Sequence, residues 1–299
     1  MPTVLVIGDV MSDIVVKPAG PIAVGADTRA TIRELPGGSG ANQAAWLASE
    51  GVSVRFAARV GRADHAAQMT LFAAMGVDAR LGSDEALPTG TLVTLVAADG
   101  ERSFLTDRGA NETLSRADLP KTLLDGVDLV SVSGYALFAP EPRAAVLALL
   151  DAARQRSIPF AVDPASYSWL EEAGAQNFVE WTAGARFCFP NEEEAAVLSG
   201  SGDLEAQLQA LARRYEVVAI KRGAAGAAAI DAKSGVRASA PALPATVVDT
   251  SGAGDAFLAG FLAAYLRGEG LEAALRRGVE LGSRAVTHLG GRPAVRMPH

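Results

Sequence analysis

One cysteine in 299 residues excludes an internal disulfide and suits a reducing compartment, so a cytoplasmic location is expected. That residue, Cys188, lies in the apolar stretch RFCFP and reads as a buried, inert thiol rather than a nucleophile. The histidines His65, His288 and His299 show no metal-binding spacing such as H-E-x-x-H and read as surface residues. No apolar run approaches the ~20 residues that span a bilayer. The start, MPTVLVIGDV, has neither a basic leader nor a cleavage pattern, so no secretory signal is expected. Positive charge is in deficit: 27 Lys and Arg against 34 Asp and Glu give a net charge of −7, which argues against nucleic acid or an anionic membrane as partner. What is present is 49% hydrophobic and 20% charged residues, the balance of a soluble globular protein. The length holds one large domain, or one domain with a small addition.

Short β-branched runs alternate with longer helical patterns. TVLVIGD (3–9) reads as a buried strand, GANQAAWLASEG (40–51) as a helix ending at Gly51, VSVRFAARVG as a strand and AAQMTLFAAMGV as a helix. DLVSVSG, PFAVDP, RFCFP, EVVAIKRG and AAAID continue the strands; PEPRAAVLALLDAARQ and NEEEAAVLSG continue the helices. This alternation predicts a parallel sheet covered on both faces, an α/β fold whose ligands bind beyond the carboxyl ends of the strands. Segments 13–20 with 27–35, and 89–106, break the pattern and read as antiparallel strands, with Asp99-Gly100 as a hairpin turn. They predict either a small inserted sheet that acts as a lid or edge strands of the main sheet. No internal repeat or low-complexity segment is evident.

The stretch VVDTSGAGDAFLAGFLAAYLRG (247–268) reads as a short strand, a turn and a helix. Gly252 and Gly254 allow tight backbone and leave N–H groups uncovered at a helix N-terminus, where an anion such as a phosphate is favoured. It is neither familiar phosphate motif. G-x-x-x-x-G-K-[ST] occurs nowhere, and G-x-G-x-x-G fails because Phe257 stands at the third glycine. Asp255 is the distinguishing residue. It either accepts a proton from a hydroxyl that attacks phosphorus, or simply complements the helix dipole.

At this point the residues resemble the ribokinase (PfkB-type) carbohydrate kinases. DTSGAGDAF resembles their C-terminal signature and GGSGANQAAWLASEGVSV their N-terminal one, with GDVMSD, RVGRAD, RGAN, PNEEE and KRGAAG matching in order between and around them. The resemblance implies a ribokinase-like fold: a Rossmann-like α/β kinase core (1–12, 37–88 and 110–299) and a small β lid (13–36 and 89–109). It implies transfer of the γ-phosphoryl group of ATP, with Mg2+, to a primary hydroxyl of a small sugar or a nucleoside. It further implies closure of the lid over the sugar and a homodimer formed through the lids.

By the same resemblance Asp255 is the catalytic base, and the N–H groups of Ser251, Gly252, Ala253 and Gly254 form the anion hole. Asp249 and Ser251 would lie beside a monovalent cation, K+, completed by carbonyls of 285–294; Ala294 stands where many ribokinases carry a polar side chain. Asp13 would accept hydrogen bonds from sugar hydroxyls, as an ionised acid can. Gly37, Gly38, Asn42 and Asn111 would complete the sugar site. Asn191 and Glu194, which on their own spell a capping box, would organise magnesium through water. Lys221, Gly223 and Gly226 would lie near the nucleotide phosphates, although Lys221 equally reads as a solvated strand-end residue. Arg102 and Arg108, in the lid, would meet an acidic substrate group or form surface salt bridges. Phe138 departs from the family, replacing an acidic residue that would accept a hydroxyl; it favours a substrate with an apolar face or simply packs in the core. A nicotinamide oxidoreductase is the rival from another class, disfavoured by the failed glycine motif and the lack of an acidic residue about 20 positions beyond a first-strand glycine loop. Retention of Asp13 and Asp255 argues against a catalytically dead sugar sensor.

Overall fold

The computed structural model describes residues 1–97 and 102–293. Thirteen strands run through the described residues: β1 (Thr3–Ile7), β2 (Met11–Pro18), β3 (Ala30–Gly37), β4 (Ser53–Gly61), β5 (Val77–Asp84), β6 (Gly90–Val96), β7 (Arg102–Asp107), β8 (Leu129–Ser133), β9 (Phe160–Asp163), β10 (Phe187–Cys188), β11 (Val217–Lys221), β12 (Ala227–Asp231) and β13 (Arg237–Ala240). Nine of them form one sheet in the order β13-β12-β11-β10-β9-β8-β1-β4-β5. From β11 to β5 neighbouring strands are parallel; β12 and β13 add an antiparallel edge.

The apolar runs follow from burial on both faces. In β1, Val4 and Val6 join one core with Trp46, Phe56, Phe187, Phe189 and Phe261. Leu5 and Ile7 join the other, with Leu149, Phe160, Phe178 and Tyr215. Period-2 alternation thus puts apolar side chains on both sides, so no polar position is called for within the strand. The helix Ala253–Leu266 is buried on every side from Asp255 to Ala264. Its small residues allow close packing: a Cβ at Gly260 would come within 2.6 Å of the Arg277 carbonyl of the next helix.

The remaining strands form a sheet of their own, in the order β3-β2-β6-β7, rather than an edge of the large sheet. Asp99 and Gly100, expected as its hairpin turn, lie outside the described residues, as do Ala294 and His299. Two other expectations are corrected. Val247–Asp249 is irregular chain, not a strand: Val247 and Val248 are exposed, and the amides of Val248 and Asp249 bond to the Val286 carbonyl at a helix end instead of to a strand. His65 and His288 are half-buried, not on the surface, each with a ring nitrogen within hydrogen-bond distance of a carbonyl, Leu81 O and Arg292 O respectively. Cys188 is buried, and burial pushes its thiol well above the ordinary value, as an inert thiol requires.

Candidate active site

β1 pairs with β8 on one side and β4 on the other, so the chain leaves the sheet in opposite directions around it. The crevice beyond the carboxyl end of such a strand is where open α/β sheets take ligands. Asp9 follows β1 there. Its Oδ1 accepts from Gly40 N (2.9 Å) and its Oδ2 from Arg108 Nη1 (2.9 Å), an ion pair buried on both sides. Arg108 lies 4.7 Å over the Tyr135 ring and 5.8 Å over Trp169. It is therefore neither a surface salt-bridge residue nor a free anion reader. Asn111, one turn on, is spent on the same junction: it bonds the amide and carbonyl of Val10 and the carbonyl of Arg108.

Gly38 precedes the helix Ser39–Ser49 with φ of +94°, and a Cβ there would strike the Asp9 carbonyl at 2.5 Å. A Cβ at Gly37 would lie 2.2 Å from the Asp13 carboxylate, so glycine lets that carboxylate press against the backbone. Burial pushes the Asp13 carboxyl up to about 7, with Asp9 and Asp249 adding to the rise and Arg292 opposing it.

The second half of the site is the turn after Asp249. Asp249 Oδ1 accepts from Ser251 N and Oδ2 from Gly290 N, both at 3.0 Å, so it fastens the turn to the C-terminal tail. The Ser251 amide is committed there, and the Ala253 amide makes a long bond (3.3 Å) to the Thr250 carbonyl. Gly252 caps the next helix at φ of +71°, packed on Gly291. The first-turn N–H groups of this helix, Gly254 and Asp255 included, have no carbonyl one turn back to bond, which makes the turn a place for an anion.

Asp255 sits in that first turn, nearly buried. Oδ1 accepts from Ser39 Oγ (2.7 Å) and Gln43 Nε2 (3.3 Å), and Oδ2 from Asn42 Nδ2 (3.0 Å). Two helix N-termini, one from each glycine-rich segment, thus meet at one carboxylate. Burial and then Asp163 push Asp255 up to about 7, opposed by the bonds from Ser39 and Asn42 and by the charge of Lys221.

Lys221 is not solvated. It ends β11, pairs with Asp163 Oδ2 at 2.6 Å and is half-buried, with 14% of its side chain exposed, and its ammonium would lie 3.1 Å from a Cβ placed on Gly254. Burial pulls its affinity for the proton down, but Asp163 and Glu194 more than offset this. Gly223 and Gly226 shape the turn between β11 and β12, where a Cβ at Gly226 would overlap the Ala240 carbonyl. Asn191 and Glu194 form the full capping box of the helix Glu192–Ser199. Glu194 accepts from Asn191 N (2.8 Å) and Nδ2 (3.1 Å), and burial raises its carboxyl. Among the described residues no group of three His, Cys, Asp or Glu could hold a metal alone. Magnesium takes oxygen ligands and keeps several of its waters, and the Glu194 carboxylate beside Asn191 is the oxygen group that would serve it here. Phe138 is half-buried and packs against the edge of the core, its ring 5.4 Å from Trp169 and 6.1 Å from Phe178.

The sequence reading did not single out Asp9, Ser39, Gln43, Asp163 and Arg292. Asp163 carried a signal, an acid at the end of a buried strand, PFAVDP. Ser39 and Gln43 carried another, polar residues at i, i+4 on the helix that opens the first glycine motif.

The profile of the pfkB family carbohydrate kinase matches residues 1–297. The chain is similar to the ribokinase of Bacillus subtilis, 30% identical over 291 residues covering 92% of this chain and 90% of that one. It is 27% identical to the cytidine kinase of Thermococcus kodakarensis, with 92% and 93% covered. Its fold resembles that of a candidate ribokinase II of Escherichia coli solved with ATP and Mg2+. The TM-score is 0.86 at 22% identity, with 97% and 94% of the chains covered.

Proposed function

The chain belongs to the pfkB family of carbohydrate kinases, phosphotransferases with an alcohol group as acceptor, and from that premise we propose that it moves the γ-phosphoryl group of ATP to a primary hydroxyl of a small sugar in the cytoplasm. The observation that carries this is Asp255. It is a buried carboxylate held by Ser39, Asn42 and Gln43 in the first turn of a helix whose free N–H groups, with Lys221, suit a phosphoryl group. In this reading Asp13 accepts hydrogen bonds from sugar hydroxyls and sets the primary alcohol against Asp255. Asp255 takes the alcohol proton as its oxygen attacks phosphorus. The amides of the Gly252–Gly254 turn and the Lys221 ammonium stabilise the charge on the equatorial oxygens. Magnesium, when bound with the nucleotide, supplies further charge neutralisation. The small sheet serves as a lid that carries Asp13 and excludes water on closing.

A nucleoside is the second reading. It is favoured by the aromatic group of Tyr135, Phe138 and Trp169, whose rings lie 5.4–6.3 Å apart and offer a wall for a base. Ribose, fructose, 2-keto-3-deoxygluconate, adenosine, cytidine and pseudouridine, each assayed with ATP and Mg2+, with and without K+, distinguish the readings. Turnover with ribose or fructose is the expected result; selective turnover of a nucleoside supports the second reading, and turnover with none of the six overturns both. Dependence on K+ would support a cation site at Asp249 and Ser251.

The lid has a second use in this proposal. Strand register puts Ile14, Val16, Ile32, Val93, Leu95 and Leu105 on the face opposite Asp13. Ile32 and Leu105 are 64% and 60% exposed there. An apolar sheet face of this kind is suited to a second copy of itself. Light scattering at micromolar concentration is expected to show a dimer that Leu105→Arg converts to monomer; a monomeric wild type overturns the lid interface.

A further inference from the structure

Among the described residues six buried side-chain atoms lack a hydrogen-bond partner, and four of them are Asp13 Oδ1, Asn42 Oδ1, Arg292 Nε and Arg292 Nη1. Buried polar atoms are nearly always paired, so a cluster of orphans calls for a reason. These gather around two glycines. Gly37 lies against the Asp13 carboxylate, and its carbonyl accepts from Arg292 Nη2 at 2.8 Å. Gly291, the residue before Arg292, lies so close to the Asn42 amide that a Cβ would meet Nδ2 at 2.4 Å.

Arg292 is 6% exposed and sits 5.0 Å over the Phe72 ring. That stacking, with the bond to Gly37, occupies a ring face and one nitrogen. It leaves two charged nitrogens buried without an acceptor, a costly arrangement if nothing else were to bind them. Asp13 and Asp9 are the carboxylates whose charge reaches Arg292, but Asp9 is already paired with Arg108 and Asp13 makes no ion pair with it.

We infer that Arg292, brought in by the C-terminal tail, is a substrate-orienting residue that works with Asp13 and Asn42 to hold the hydroxyls of a neutral polyol. The inference rests on the kinase reading above. Two acceptors and two donors stand unpaired together, and a hydroxyl both donates and accepts. A pair of neighbouring hydroxyls gives protons to Asp13 and Asn42 and receives them from Arg292. A carboxylate or phosphate only accepts: it would satisfy Arg292 while facing the oxygens of Asp13 and Asn42. Charge leads to the same choice. Besides the pairs Asp9 with Arg108 and Asp13 with Arg292, Asp249 adds a further carboxylate that acts on Asp13, so an acidic substrate would bring more negative charge into a buried site.

The test uses wild type, Arg292→Gln and Arg292→Lys, assayed with D-ribose, 2-deoxy-D-ribose, adenosine, 2′-deoxyadenosine and 2-keto-3-deoxygluconate. With the best neutral acceptor, Arg292→Gln is expected to raise KM about tenfold to hundredfold. The KM for ATP stays within about twofold, and the preference for the full hydroxyl set over the deoxy analogue narrows. Arg292→Lys, which keeps the charge but not the planar fork, is expected to fall between. An unchanged acceptor KM, or an equal rise for acceptor and ATP, overturns the inference and leaves the kinase reading standing. So does wild-type preference for 2-keto-3-deoxygluconate over the neutral acceptors. Wild type that phosphorylates none of the five, nor fructose, cytidine or pseudouridine, overturns the kinase reading and this inference with it. A crystal structure of wild type with its acceptor decides the point even if the variants fail to fold: no acceptor oxygen within about 3.2 Å of Arg292 overturns it.

Discussion

Asp255→Asn is expected to lower kcat by about 10²-fold or more while ATP still binds with near wild-type affinity. The substitution keeps the shape of the side chain. Its oxygen can go on accepting from Ser39, and Asn42, whose Oδ1 is free, can turn its amide to accept from the new N–H. What disappears is the ability to take a proton. Steady-state kinetics with calorimetric ATP affinity separate the two effects, and turnover within about threefold of wild type would remove Asp255 from the base role.

Acidity supplies an independent readout of the same residue. Burial, then Asp163, raises the Asp255 carboxyl to about 7, against the pull of Ser39, Asn42 and Lys221. A base must be ionised, so wild-type turnover is expected to fall as the pH drops below about 7. The residual kcat of the Asn variant at saturating acceptor lacks that limb, while a fall in its acceptor kcat/KM over the same range is that of Asp13, whose carboxyl is also raised to about 7. Stability runs the opposite way. A carboxyl whose folded-state value lies above its unfolded value binds its proton more tightly in the folded chain, so its contribution is lost as pH rises from about 4 to about 7. Asp255→Asn is therefore expected to melt at a higher temperature than wild type at pH 8, with the gap closing toward pH 4. Active-site burial of this kind exchanges stability for a proton acceptor that works near neutrality.

How much of this could be read from the residues depends on the range of the interaction. Strand–helix alternation is local, and it located seven of the nine strands of the large sheet, because β-branched runs such as VLVI and VVAI are buried on both faces; the edge strands Val77–Asp84 and Arg237–Ala240, poorer in such residues, were missed. Val247–Asp249 has the same β-branched look and no partner strand, a fact of tertiary pairing that composition does not carry. The glycine motifs announced the two turns that meet at Asp255, since positive φ at Gly38 and Gly252 leaves little choice of residue. The side chains that tune the site were harder to see. Asp163 reaches Lys221 across 58 positions of sequence, and Arg292 reaches Gly37 across 255. Neither spacing is periodic, so only the folded chain reveals that Lys221 is paired with Asp163 rather than left in solvent and that the tail reaches back to Gly37.

Lys221→Met is expected to lower kcat by about 10²–10³-fold, the effect of removing a fixed charge from a site where negative charge builds up in the transition state. The position of the ammonium makes the case: it is beside Gly254, in the turn offered to the phosphoryl group, and Asp163 holds it there at 2.6 Å. The same bond complicates the experiment. Removing Lys221 leaves Asp163 and Glu194 buried without their cation, and breaking a buried pair costs about 3–5 kcal/mol, enough to unfold a marginal protein. A cycle with Asp163→Asn separates the two roles. Lys221→Met with Asp163→Asn removes the stranded charge, so its melting temperature is expected to recover toward wild type. Its turnover is expected to stay low, because nothing replaces the ammonium at the turn. Asp163→Asn alone keeps that ammonium and should retain clearly more activity than either variant lacking Lys221. If the double variant recovered turnover to within about tenfold of wild type, Lys221 would be a structural counter-ion for Asp163, and the stabilisation of the transferring group would have to come from the helix amides and magnesium.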